Sequence, residues 1–132
     1  LGACYLDAEQ TNMTFTGARF SLFIDDGRDV AEIKGDKNGI GYRGIPYDQA
    51  FTNQRVKICP EHSFYLSTDG LTDQVGGEHC RMFGKKRFRK LISSLRDKTF
   101  AEQKVEILQA LSAYQGDESR RDDVSIVGFK VG

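Results

Sequence analysis

Apolar and polar residues alternate through Asn12–Ala18. Met13, Phe15 and Gly17 fall on one face and Thr14 and Thr16 on the other, which predicts a strand covered on one side. Residues 2–8 alternate less cleanly and predict a short strand before it. Phe20–Ile24 and Val30–Lys34 flank Asp25-Asp26-Gly27-Arg28, and Asp-Gly between apolar runs predicts a hairpin. The first third therefore reads as a β-meander. Gly35–Gly44 carries four glycines with Asp36 and Asn38 and has no period, so it reads as a connector. A Gly-rich loop cradles phosphate when it opens a helix. This one leads instead to an extended segment, Phe51–Ile58, and Pro60-Glu61-His62 then turns the chain.

The stretch Ser63–Asp73 organises the rest. Phe64, Leu66 and Thr68 face one side of a predicted strand and Tyr65 and Ser67 the other, and the strand closes on Asp69-Gly70. A polar, Gly-rich loop is expected from Gln74 to Gly84. Phe88, Leu91, Ile92 and Leu95 then stand at i, i+3, i+4 and i+7, the stripe of an amphipathic helix. A second helix is expected from Thr99, with Glu102 completing a capping box, Val105, Leu108, Leu111 and Tyr114 as its apolar face, and Gly116 past its end. Val124–Val131 reads as a strand buried inside a sandwich. Six or seven strands and two consecutive helices, segregated along the chain, predict an α+β fold: an antiparallel β-sandwich with a flanking helix pair. Phe15, Phe20, Phe23, Phe64 and Phe129 are core candidates.

A length of 132 residues suits one small domain, spanning 1–132. Charged residues at 29% and hydrophobic residues at 39% describe a folded domain rather than a disordered one. Lys+Arg and Asp+Glu are both 19, so no net field draws the chain to nucleic acid or a membrane surface. No apolar run matches a membrane span and no signal-peptide pattern stands at Leu1. Cys4, Cys59 and Cys80 are far apart and odd in number, with no CxxC spacing, and His62 and His79 complete no zinc pattern. Free thiols in a reducing cytoplasm are expected.

The chemistry lies in the aspartates. Asp69 closes one predicted strand and Asp122 opens another. If the two strands are antiparallel neighbours, the carboxylates converge at one sheet edge, with Asp73 and Asp123 behind them. Carboxylates without His or Cys suit hard cations such as Mg²⁺, Mn²⁺ or Ca²⁺, and two such ions can clamp a phosphate for in-line attack. Asp before Gly is also an ordinary turn residue. The ligand spacing is unlike the consecutive loop of an EF-hand.

Leu66-Ser67-Thr68-Asp69-Gly70-Leu71-Thr72-Asp73, then Phe83-Gly84, then Arg121-Asp122-Asp123-Val124-Ser125 resemble the metal-dependent PPM (type 2C) protein serine/threonine phosphatases, and most closely their bacterial SpoIIE-like branch. Thr16-Gly17-Ala18 and Gly39-Ile40-Gly41 resemble two further elements of that branch, in the same order. The resemblance implies a β-sandwich flanked by helix pairs and a dinuclear Mn²⁺ or Mg²⁺ centre. Asp69 and Asp122 would be its catalytic metal ligands, with Gly70 and Asp73 beside them and Asp123 a further candidate. It implies hydrolysis of phosphoserine or phosphothreonine by a metal-activated water without a phosphoenzyme. The substrate it suggests is a small phosphorylated regulatory protein, a STAS-type anti-sigma-factor antagonist, in the cytoplasm, with sensor or membrane modules upstream.

The chain departs from the family pattern in two places. The aspartate-glycine pair and Gly-His-Gly that open the family's metal site are absent, and Arg19 stands where the branch often has histidine. The chain therefore reads as the C-terminal portion of a phosphatase domain, with half a metal site and little activity by itself. The competing reading is a non-catalytic phosphatase-like binding module. Sheet edges left unpaired by missing strands would invite a homodimer. Arg81, Lys85, Lys86, Arg87, Arg89 and Lys90 form a local basic cluster, read as a solvated helix face or as a dock for an acidic phosphoprotein.

Overall fold

Strands β1 (Gly2–Leu6) and β2 (Asn12–Gly17) form an antiparallel hairpin in the computed structural model, which describes residues 1–41 and 43–132. The alternation of β2 is realised: Met13, Phe15 and Gly17 are buried and the residues between them are half-buried. The chain then forms β3 (Ser21–Asp25) and β4 (Val30–Lys34), the hairpin predicted by Asp-Gly. Gly27 sits at φ 87°, where a side chain would be strained, and the Asp26 carboxylate accepts the amides of Arg28 and Asp29.

The two hairpins do not make a meander. β2 pairs on its far side with β5 (Gln54–Lys57), giving a sheet ordered β1-β2-β5. β3 pairs instead with β6 (Ser63–Ser67), which pairs with β9 (Ile126–Phe129), giving a sheet ordered β4-β3-β6-β9. The chain changes sheet between Gly17 and Phe20. Arg19 adopts φ 53° there, and Gly35 and Asp36 pin the crossing by donating to the carbonyls of Phe20 and Gly17. Of the segment 51–58, only Gln54–Lys57 is strand. The connector over 35–44 shows no regular element among its described residues, and position 42 lies outside them.

The second sheet is covered on both faces, by the first sheet and by the helices, which produces three layers. Met13, Phe15 and Val56 of the first sheet meet Leu22, Ile24 and Phe64 of the second. Phe23 and Tyr65 point the other way, into a second core with the helices. A strand covered on both faces is buried almost throughout, as β3 and β6 are. The helices are α1 (Asp69–Thr72), α2 (Gly84–Ser94) and α3 (Phe100–Gln115). Phe88, Ile92 and Leu95 face the core as predicted. The Thr99–Glu102 capping box is formed in both directions.

Four expectations change. The loop 74–84 holds a small hairpin, β7 (Val75–Gly76) with β8 (Arg81–Met82). The strand at 63 ends at Ser67, and Asp69 begins a helical turn instead of closing the strand. The inner face of α3 is Gln103, Ile107 and Leu111, while Val105 and Leu108 are 52% and 49% exposed. Gln103 can lie inside because its amide donates to the carbonyls of Leu95 and Lys98 and its oxygen accepts the Tyr65 hydroxyl at 2.9 Å. The last strand is the shorter β9, an edge strand whose Val127 is 55% exposed, not an interior one. Phe15, Phe23 and Phe64 are buried, whereas Phe20 and Phe129 are half-buried.

Candidate metal centre

β6 and β9 are antiparallel neighbours, with Ser67 opposite Ile126. The end of β6 therefore lies beside the segment that leads into β9, and the two aspartate motifs meet there. Thr68 makes the junction. Its amide donates to the Ser125 carbonyl at 3.0 Å, its hydroxyl donates to the Asp123 carbonyl at 3.0 Å, and that hydroxyl accepts the Ser125 amide at 2.9 Å. Thr68 holds the N-cap position of α1, yet its side chain reaches across to the neighbouring loop and leaves its own helix uncapped.

Gly70 completes the contact. A Cβ on this residue would stand 3.0 Å from the Asp123 carbonyl carbon and 3.3 Å from that of Asp122, with the Asp123 carbonyl oxygen closer still. Only glycine lets the first turn of α1 press against the Asp122–Asp123 backbone. The turn is fixed from below by Leu71, fully buried in the helix-side core. Asp73 closes it, donating its amide to the Asp69 carbonyl at 2.8 Å. Behind it Gln74 is fully buried and donates to the Ser119 carbonyl at 3.1 Å, a second tie to the segment before β9.

Asp69, Asp73, Asp122 and Asp123 are all exposed at this edge. Asp122 turns one carboxylate oxygen onto the Asp123 amide at 2.7 Å. Among the described residues, no three of these carboxylates bring donor oxygens within 4.8 Å of one another. The donor set is carboxylate and main-chain carbonyl oxygen, which fits a hard divalent ion. The close backbone approach at Gly70 brings the two acidic segments to one place. Asp69 and Asp122 are the residues that would hold such an ion, with Asp73, Asp123 and the Gly70 backbone beside them.

The basic cluster is partly committed to structure. Lys85 pairs with Glu32, Arg89 donates to the Val30 carbonyl, and Arg87 donates to the Met82 and Phe83 carbonyls while lying 5.0 Å over the Tyr114 ring. An apolar groove of about 480 Å³ runs between α3 and β9, lined by Tyr65, Phe100, Leu108, Val124 and Ile126.

One cluster escaped the sequence. Cys59, Glu61 and His62 bring a donor atom each within 4.8 Å of one another on the turn from β5 to β6. The Cys-Pro-Glu-His string matches no spaced ligand pattern, and His62 reads simply as a turn residue. The three cysteines are free. No helix of the described residues is long and apolar enough to cross a membrane.

A family model described as stage II sporulation protein E (SpoIIE) matches residues 3–132. The SiaA-PP2C domain of Pseudomonas aeruginosa is similar at a TM-score of 0.88 and 35% identity, covering 99% of this chain and 51% of that one. The phosphatase domain of the cell fate determinant SpoIIE from Bacillus subtilis, presoaked with Mn, is similar at a TM-score of 0.70 and 14% identity, covering 99% and 56%. The chain thus spans about half the length of either solved chain. No curated protein matches it. The antiparallel sheets and helices are those of a PP2C phosphatase fold.

Proposed function

The chain belongs to the SpoIIE family of PP2C-like phosphatases, and from that premise we propose that it supplies one edge of the metal centre of a protein serine/threonine phosphatase. The observation that carries this reading is the bracing of Asp69 against the Asp122–Asp123 loop by Thr68 and Gly70. A scaffold that locks two acidic segments backbone to backbone keeps their carboxylates in fixed relation, which is what a reactive centre requires. Asp69 and Asp122 are the donors, and Asp73 and Asp123 support them. A bound Mn²⁺ or Mg²⁺ supplies positive charge to phosphoryl oxygens and lowers the pKa of a water.

The substrate is a phosphoserine or phosphothreonine on a small cytoplasmic regulatory protein, for which a STAS-type anti-sigma-factor antagonist is the candidate. Lys86 and Lys90, exposed on α2, offer cations to an acidic partner. The exposed edge of β9 is open to pairing with a second copy. A second reading, a binding module without turnover, has its own support: no three of the four aspartates close into a ligand set in this chain.

The deciding experiment places Asp69→Asn and Asp122→Asn in the full-length protein and follows Mn²⁺-dependent phosphate release from a phosphorylated STAS-type protein. Loss of release in both variants, with circular dichroism unchanged, is expected. Undiminished release in either variant overturns the metal assignment. Tight binding of the phosphoprotein by the unsubstituted protein without any release establishes the binding module instead.

A further inference from the structure

We propose that the turn joining β5 to β6 binds a borderline-soft divalent cation, Zn²⁺ by preference, through Cys59, Glu61 and His62. A sulfur, a carboxylate oxygen and a ring nitrogen lie within 4.8 Å of one another. Donors about 2.0–2.3 Å from a tetrahedral ion stand roughly 3.3–3.8 Å apart, so side-chain rotation within one turn closes the set. The backbone already brings the outer two ligands together, because the His62 amide donates to the Cys59 carbonyl at 2.9 Å.

A second observation points to a ligand. His62 Nδ1 is buried and has no hydrogen-bond partner. Its ring is fixed edge-on against Phe64, with centroids 6.0 Å apart. Buried polar nitrogens almost always have a partner, and an ion bound to the imidazole would give this ring one.

Thiolate and imidazole select for Zn²⁺ over Mg²⁺ or Mn²⁺, which prefer oxygen. The two ends of β6 therefore sort ions by softness. The acidic edge beyond Ser67 takes hard ions, and the turn before Ser63 takes a soft one. The turn is also where the chain passes from the first sheet to the second. An ion held there ties the crossing shut, with water free to complete the coordination. Binding converts the Cys59 thiol to thiolate and releases its proton to solvent, so affinity falls with falling pH.

The test titrates Zn²⁺, and Co²⁺ as a spectroscopic stand-in, into the protein with Mg²⁺ in excess to fill oxygen sites. One equivalent is expected, with a sulfur-to-cobalt charge-transfer band and a raised melting temperature in Zn²⁺. Cys59→Ser should abolish the band, and His62→Ala should weaken binding at least tenfold, each with the circular dichroism of the parent. Cys4→Ser and Cys80→Ser should leave the band intact. Absence of saturable Zn²⁺ binding, a band that survives Cys59→Ser, or one lost in Cys80→Ser overturns the proposal. Cys59 is half-buried on a turn, so serine there is a mild change.

Discussion

Gly70→Ala separates local propensity from tertiary contact, because the two act in opposite directions. Gly70 lies within α1, and alanine in a helix is favoured over glycine by about 1 kcal/mol. Propensity alone therefore predicts stabilisation. The new methyl, however, would stand 3.0 Å from the Asp123 carbonyl carbon and closer still to its oxygen. Non-bonded heavy atoms are comfortable at about 3.5–4.0 Å, so that backbone must retreat by roughly 1 Å or more. Overpacking of this kind costs about 1–3 kcal/mol. The net loss of stability is then only about 1 kcal/mol, a few degrees in melting temperature. The functional loss should be much larger, since a misplacement of about 1 Å at a reacting centre can lower the rate on the order of 100-fold. The assay pairs thermal melts of the full-length variant with Mn²⁺-dependent phosphate release and Mn²⁺ affinity. A variant that is more stable than the parent and keeps its activity within threefold would refute the close-approach role of Gly70.

Tyr65→Phe strips the donor from the buried Gln103 oxygen and should lower stability by about 1–3 kcal/mol in urea unfolding; an unchanged midpoint would show that the pair contributes nothing. Glu32 carries a pH dependence. Burial acts against its charge, but hydrogen bonds from Lys85 and Ser21 outweigh that and hold its carboxyl below the ordinary range. A depressed carboxyl contributes stability above its unfolded pKa and loses it as pH falls through the folded value. Acid should therefore destabilise the parent more than Glu32→Gln, and parallel acid transitions would refute the assignment.

Elements whose signal is local were legible in the sequence. Alternation at Met13 and Phe15 marked β2, Asp26-Gly27 marked the hairpin, and Thr99 with Glu102 marked the start of α3. Pairing was not legible, because alternation tells which way a side chain points and not which strand lies alongside. Alternation therefore reads the two hairpins of the first third as one meander, although the chain changes sheet at Gly17–Phe20. β7 and β8 are two residues each and too short to show a period. The inner face of α3 does not stand out in the pattern, because Val105 and Leu108 form a second apolar stripe, while the buried Gln103 looks polar until Tyr65, Leu95 and Lys98 are beside it. At the acidic edge, the order of Asp69 and Asp122 suggested a meeting of segments. The Thr68 hydroxyl that joins them carries no signal at the level of spacing. Cys59, Glu61 and His62 went unseen because adjacent ligands on a turn fit no spaced template.

The joint at Thr68 also sets a timescale. The residues from Gly116 to Asp123 are all exposed, and none of them packs into either core. The acidic segment is fastened mainly by the three hydrogen bonds of Thr68 and by the Gln74 amide on the Ser119 carbonyl. At about 1 kcal/mol each, these hold it by roughly 4 kcal/mol. The segment then swings free in about one molecule in a thousand, more often than the domain unfolds. In hydrogen exchange, the Thr68 and Ser125 amides would be released by this local opening, while the Phe64 and Tyr65 amides of the same sheet wait for deeper events. The edge that would hold an ion can thus open and re-form around a guest without disturbing the sheets behind it.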